Sequence, residues 1–112
     1  MQSHHGWIFI INPVAGNGFA ASYADTIKEM IKKRGIDAKF AFTEKRGHAT
    51  QIASEHVNQG FNHIVGVGGD GTFNEIVQAL VDKKNVTFGA VAAGTGNDFI
   101  NILGFSDHFT EQ

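Results

Sequence analysis

Apolar and polar positions fall in blocks of two kinds along this chain. Trp7 to Ile11 and Ile64 to Val67 are continuously apolar and rich in β-branched residues, as strands buried on both faces should be. Asp37 to Phe42 alternates polar and apolar residues, which predicts a more exposed strand. Val86 to Ala92, interrupted by Gly89, reads as a fourth strand. Between these runs the apolar spacing becomes helical. One helix runs from about Ala20 to Arg34, with Ala20, Ala24, Ile27 and Ile31 on one face. A second places Ala49, Ile52, Ala53, His56 and Val57 inward, with His56 read as a half-buried packing residue. A third places Phe73, Ile76, Val77 and Leu80 together. The short apolar piece Phe99 to Leu103 is read as belonging to a last helix opened by the turn before it, and the final seven residues as a trailing end.

Strand and helix thus alternate about four times, with no internal linker or low-complexity segment. Such alternation predicts an α/β fold: a three-layer, Rossmann-like parallel sheet with helices on both faces, joined by right-handed crossovers. In that arrangement every strand-to-helix loop emerges at the carboxyl edge of the sheet. Ligands bind there, where the strand order reverses, and the reversal is expected beside the first strand. The unusual loops of this chain, 12–18, 43–48, 68–72 and 93–98, are all of this type. The opposite connections, at Gly35-Ile36 and Asp82 to Asn85, are ordinary.

Composition narrows the function. At 112 residues the chain is one small domain, near the usual size for a single core. Its 14 glycines against one proline imply tight turns or close backbone approaches to a ligand. A net charge of −2 argues against broad nucleic-acid binding. There is no cysteine, hence no disulfide framework or thiolate metal site. No apolar run approaches the roughly 20 residues that cross a bilayer, and no secretory signal pattern is visible. The lack of cysteine does not fix the compartment; the expectation is cytoplasmic, with a peripheral place at the inner face of the membrane as its variant. The basic cluster Lys32, Lys33 and Arg34 before Gly35 complements a helix dipole at a glycine C-cap. Contact with an anionic membrane surface is its alternative use.

The loop Gly68-Gly69-Asp70-Gly71-Thr72 joins the third strand to the third helix. It leaves little but backbone to present, at a helix N-terminus whose unpaired N–H groups and dipole favour an anion. Gly66, Gly68 and Gly71 also satisfy G-x-G-x-x-G, but Gly66 falls inside the strand. Asp70 is a carboxylate among phosphate-binding amides. It makes sense there if it reaches Mg²⁺, a ribose hydroxyl or a reacting hydroxyl. Its structural alternative is a helix cap. No loop carries the lysine-bearing G-x-x-x-x-G-K-[ST] pattern. Charge on a triphosphate must then be met by amides, by Asn, Thr and His donors, and by a divalent ion, with Lys45 and Arg46 the nearest cations. Glu75, one turn into the helix, is either a surface residue or a supporting partner. Phosphoryl transfer suits this set because the protein there mainly positions groups and stabilises charge. No Ser-His-Asp arrangement and no cluster of His ligands suggests another chemistry.

Four motifs occur in order: Asn12-Pro13 with Gly16; Thr43 followed by Gly47-His48-Ala49; Gly68-Gly69-Asp70-Gly71-Thr72 with Asn74-Glu75; and Gly94-Thr95-Gly96-Asn97-Asp98. Together they resemble the N-terminal nucleotide-binding domain of the diacylglycerol kinase catalytic family, which includes sphingosine and ceramide kinases. The likeness runs from about Trp7 to Phe105. It implies a lipid kinase that transfers the γ-phosphate of ATP, with Mg²⁺, to a lipid hydroxyl. Asn12, Pro13, Val14, Ala15 and Gly16 would line the phosphate and ribose side, and Thr43 would hydrogen-bond the nucleotide. Gly68, Gly69, Asp70, Gly71, Thr72, Phe73 and Asn74 would hold the phosphates. Gly94, Thr95 and Gly96 would close the site, with Asn97 and Asp98 organising the loop or helping place Mg²⁺. Asp70 is the residue assigned to catalytic assistance, and no residue set is assigned as metal ligands.

The resemblance also implies a second, β-rich domain supplying the proposed base and much of the lipid cleft, which these 112 residues do not include. The chain alone is therefore expected to bind nucleotide weakly and to transfer phosphate at background rate. Apolar residues such as Phe99, Ile102, Leu103, Phe105 and Phe109 are expected to favour a homodimer. Two other functions fit the glycine turn: NAD-kinase-like nucleotide phosphorylation, which the Asn12-Pro13 and Gly94–Asp98 elements fit less well, and a non-catalytic nucleotide-binding module.

Overall fold

In chain order the elements are β1 (Trp7–Ile11), α1 (Phe19–Lys33), β2 (Ala38–Phe42), α2 (His48–Asn58), β3 (His63–Gly68), α3 (Asp70–Leu80), β4 (Thr87–Ala92) and β5 (Asn101–Leu103). They come from a computed structural model that describes residues 6–15, 18–92 and 101–103. The sheet runs in the order β2-β1-β3-β4-β5. The first four strands are parallel, with Trp7 opposite both Ala38 and His63, and His63 opposite Thr87.

Helices cover both faces, as the alternating pattern predicts. On one face α1 lays Ala20, Ala24, Ile27 and Ile31 over Trp7, Phe9, Ile11, Val65 and Val67. On the other, Ala49, Ile52 and Ala53 of α2 and Ile76 of α3 pack on Ile8, Ile10 and Ile64. Strands β1 and β3 are central, so both faces of each must be apolar, which explains their unbroken hydrophobic runs. Each fully buried Ile or Phe in this core contributes roughly 1.5–3 kcal/mol of transfer free energy. The edge strand β2 is only partly buried, in keeping with its alternation. His56 is half-buried, lies edge-on to Phe61, and its Nδ1 is 2.7 Å from the Ile52 carbonyl.

Two expectations are corrected. Residues 101–103 form no helix: β5 pairs antiparallel with β4, Asn101 opposite Ala92 and Ile102 opposite Val91. Too few residues separate Ala92 from Asn101 for the crossover of about a dozen or more that a parallel neighbour needs, so the returning chain can only pair antiparallel. Val77 does not face the core but is 43% exposed. The buried stripe of α3 is centred on Ile76 and takes in Thr72, with Phe73 and Leu80 half-buried. Val77, about 100° further round, falls at its margin.

Candidate functional site

The strand order reverses between β1 and β3. After β1 the chain moves outward to β2, with α1 on one face, and after β3 it moves to β4 with α3 on the other. The loops following β1 and β3 therefore part in opposite directions and leave a crevice at the carboxyl edge. The loop after β2 forms its flank. A cleft of about 330 Å³ lies there, lined by Asn12, Pro13, Val14, Thr43, Glu44, Lys45, Arg46, Gly71, Thr72 and Glu75. Three motifs distant in sequence thus share one wall.

Backbone bonds place the loops. The Asn12 N–H donates to the Val67 carbonyl (2.9 Å) and the Thr43 N–H to the Ile11 carbonyl (2.8 Å), each extending a sheet ladder by one residue. Asn12 Oδ1 accepts the Val14 N–H at 3.2 Å, an Asx turn that aims the following residues across the strand ends. Its Nδ2 faces Thr72 Oγ1 at 3.4 Å. Thr72 is the only polar side chain buried among the described residues, at 6% exposure.

Among the described residues, three helices begin at this edge, each with a glycine at the N-cap that has no side chain of its own to cap with: Gly18 for α1, Gly47 for α2 and Gly69 for α3. Gly18 and Gly47 have positive φ, +94° and +83°, which only glycine adopts freely. In α1 the preceding loop partly satisfies the first turn, the Ala20 N–H donating to the Ala15 carbonyl. The α2 terminus is served from outside: Glu75 Oε2 accepts the Gly47 N–H at 2.9 Å and Oε1 the Ala49 N–H at 3.3 Å. The remaining terminus, α3, carries the glycine turn. Asp70 is its first helical residue and exposed, so the capping alternative for Asp70 does not hold; the N-cap is Gly69, in extended conformation. The first N–H groups of such a helix have no intrahelical acceptor.

The glycines of this segment divide into two kinds. A Cβ on Gly66 would sit 2.7 Å from Ile76 Cδ1, and one on Gly68 2.7 Å from Thr72 Oγ1. Those two are needed for α3 to lie close on β3. A Cβ on Gly69 or Gly71 would meet nothing within 4 Å, and neither has positive φ. Nothing within the described residues requires glycine at these two positions. They keep clear the space outside the turn.

Of the residues expected at the site, Asn12, Pro13, Val14, Thr43, Gly71 and Thr72 line the cleft. Gly69 and Asp70 lie exposed at the start of α3, and Asn74 is exposed in its next turn. Ala15 packs against the core on the α1 face. Phe73 is turned toward the sheet, its ring edge-on to Phe88 at 6.3 Å, so its side chain packs. Gly16, Gly94, Thr95, Gly96, Asn97 and Asp98 lie outside the described residues. Lys45 and Arg46 are exposed cations on the cleft wall. Among the described residues no three His, Cys, Asp or Glu side chains form a metal cage, and no helix is long and apolar enough to cross a membrane.

Sequence reasoning left Glu75 open and passed over Glu44. Glu75 reaches residues 26 and 28 positions away, a contact that no local spacing signals.

Comparison with known proteins fits this geometry. The diacylglycerol kinase catalytic domain family matches residues 6–112. A diacylglycerol kinase of Bacillus subtilis is 33% identical over 96 residues, covering 85% of this chain and 32% of the relative. Sphingoid long-chain bases kinase 1 of Arabidopsis thaliana is 31% identical over 109 residues, covering 89% of this chain and 14% of the relative. The crystal structure of a diacylglycerol kinase from Bacillus anthracis superposes with a TM-score of 0.69 at 28% identity, covering 85% of this chain and 36% of that one. The chain thus spans about a third of the length of these bacterial relatives.

Proposed function

The chain belongs to the diacylglycerol kinase catalytic domain family, and on that premise we propose that it is the ATP-binding portion of a lipid kinase, which transfers the ATP γ-phosphate to a lipid hydroxyl. One observation carries this reading. At Gly69 and Gly71 neither backbone conformation nor any neighbour among the described residues calls for glycine, yet a side chain there would fill the space in front of a helix N-terminus without a side-chain cap. That combination suits an anion brought close to bare amides.

In this reading the phosphates lie against the Gly69–Thr72 amides, and Asn12, Thr43 and the loop after β1 hold the rest of the nucleotide. Lys45 and Arg46 offset the charge that the glycine turn does not meet. Mg²⁺ would arrive bound to the phosphates, as it commonly does, keeping waters and one or two carboxylates. Asp70, exposed at the head of α3, fits the carboxylate position, and no all-protein cage is required. When bound, the metal would neutralise charge on the transferring phosphoryl group. Much of the lipid-binding cleft, and the base that activates the lipid hydroxyl, would come from a second domain of the kind the relatives' greater length accommodates.

The test is a titration of the chain with ATP in the presence and absence of Mg²⁺, followed by backbone amide resonances. The expected result is saturable shifts at Gly69, Asp70, Gly71 and Thr72 at millimolar or tighter affinity, with no phosphate transferred to diacylglycerol vesicles by this chain alone. Shifts scattered over the surface with no response at these four amides would remove the basis of the reading.

A further inference from the structure

Glu75 stands outside the phosphate turn yet touches both sides of the cleft. Its own helix, α3, begins with Asp70, Gly71 and Thr72, while its carboxylate accepts N–H groups of Gly47 and Ala49, at the end of the loop that carries Lys45 and Arg46. A third tether runs alongside: Thr50 Oγ1 donates to the Glu75 carbonyl at 2.7 Å. At its other end this loop is held by the Thr43 N–H on the Ile11 carbonyl. Within it, His48 Nδ1 accepts the Glu44 N–H at 2.9 Å, which puts any proton of a neutral His48 ring on Nε2. The loop is thus pinned at both ends, and one of the pins is supplied by the helix that would receive the phosphates.

Resting on the nucleotide-binding reading above, we propose that Glu75 is a positioning residue that locks the Lys45–Arg46 loop in register with the phosphate turn. A carboxylate is the side chain for this task. Two amides of different residues approach its two oxygens, and an amide side chain of the same shape would accept one and oppose an N–H₂ group to the other. With both oxygens so engaged, Glu75 organises the cleft wall.

The experiment compares the wild-type chain with E75Q, which keeps size but loses one acceptor, and E75D, which keeps charge but draws the oxygens back by one methylene. Amide hydrogen exchange without ligand reads the pin, and titration with ATP and Mg²⁺ reads its consequence. Exchange at Gly47 and Ala49 should accelerate about fivefold to tenfold in both variants. The ATP dissociation constant should rise by a similar factor in both, while the amides of β1 and β3 stay protected. Thr50 to Ala (T50A), which removes only the third tether, supplies a milder variant should both Glu75 variants unfold. It should raise the ATP dissociation constant about twofold to fivefold without changing the charge of the cleft. Weakened binding in E75Q with normal binding and exchange in E75D would assign Glu75 a charge role and overturn the proposal. So would faster exchange with ATP affinity within twofold of wild type. Failure of the wild-type chain to respond to ATP would instead overturn the nucleotide-binding reading, whatever the exchange rates.

Discussion

Replacing Gly71 by alanine separates architecture from function, because the two should move in opposite directions. Gly71 is the second residue of α3, and a Cβ there would meet no atom of the described residues within 4 Å. A glycine inside a helix costs about 0.5–1 kcal/mol relative to alanine, largely through the freedom it has in the unfolded chain. G71A should therefore gain up to that amount, a rise in Tm of roughly 2–4 °C at about 4 °C per kcal/mol for a domain of this size. Its control is G68A. There the new Cβ lies 2.7 Å from Thr72 Oγ1 and 3.4 Å from Asn12 Cβ, and Thr72 is buried and cannot swing away. Overpacking of that kind costs about 1–3 kcal/mol, or roughly 4–12 °C. Thermal melts read by circular dichroism give both values. Calorimetric or NMR titration with ATP and Mg²⁺ then gives the other half: a methyl group in the path of the phosphates should raise the dissociation constant of G71A by about tenfold or more, equivalent to about 1.4 kcal/mol. A G71A chain that melts higher and binds ATP like wild type would refute the reasoning, since the cleared space would then serve no anion. A G71A chain that melts lower would refute the packing on which it rests.

Other perturbations address the remaining assignments. Asp70 is exposed at the first position of α3, where a carboxylate gains from the helix dipole, so D70A should shift stability by less than about 1 kcal/mol. The same change should remove the gain in ATP affinity that Mg²⁺ confers, measured as the ratio of dissociation constants with the metal and with a chelator; an unchanged ratio would take Asp70 out of the metal's path. The apolar residues between Phe99 and Phe109 lead us to expect a homodimer, and sedimentation equilibrium across micromolar concentrations returning only the 12.1 kDa monomer would count against it.

The sequence by itself determined the layers. Unbroken apolar runs at 7–11 and 64–67 can be buried only by helices on both faces, and the helical spacing of Ala20, Ala24, Ile27 and Ile31 supplies one of them. It also concentrated the unusual loops at one edge, because glycine, Asn and Thr there answer to local turn geometry that a short window reveals. Tertiary structure decided the rest, and for one physical reason: those features depend on groups that meet only after folding. Which glycines make room for packing and which leave space outside follows from Ile76 and Thr72 lying over Gly66 and Gly68, and from none of the described residues lying over Gly69 and Gly71. Glu75 became a cap only when α3 settled beside α2. The last apolar piece became an antiparallel strand because β4 still had an open edge within reach, a vacancy that the pattern of residues 99–103 does not record.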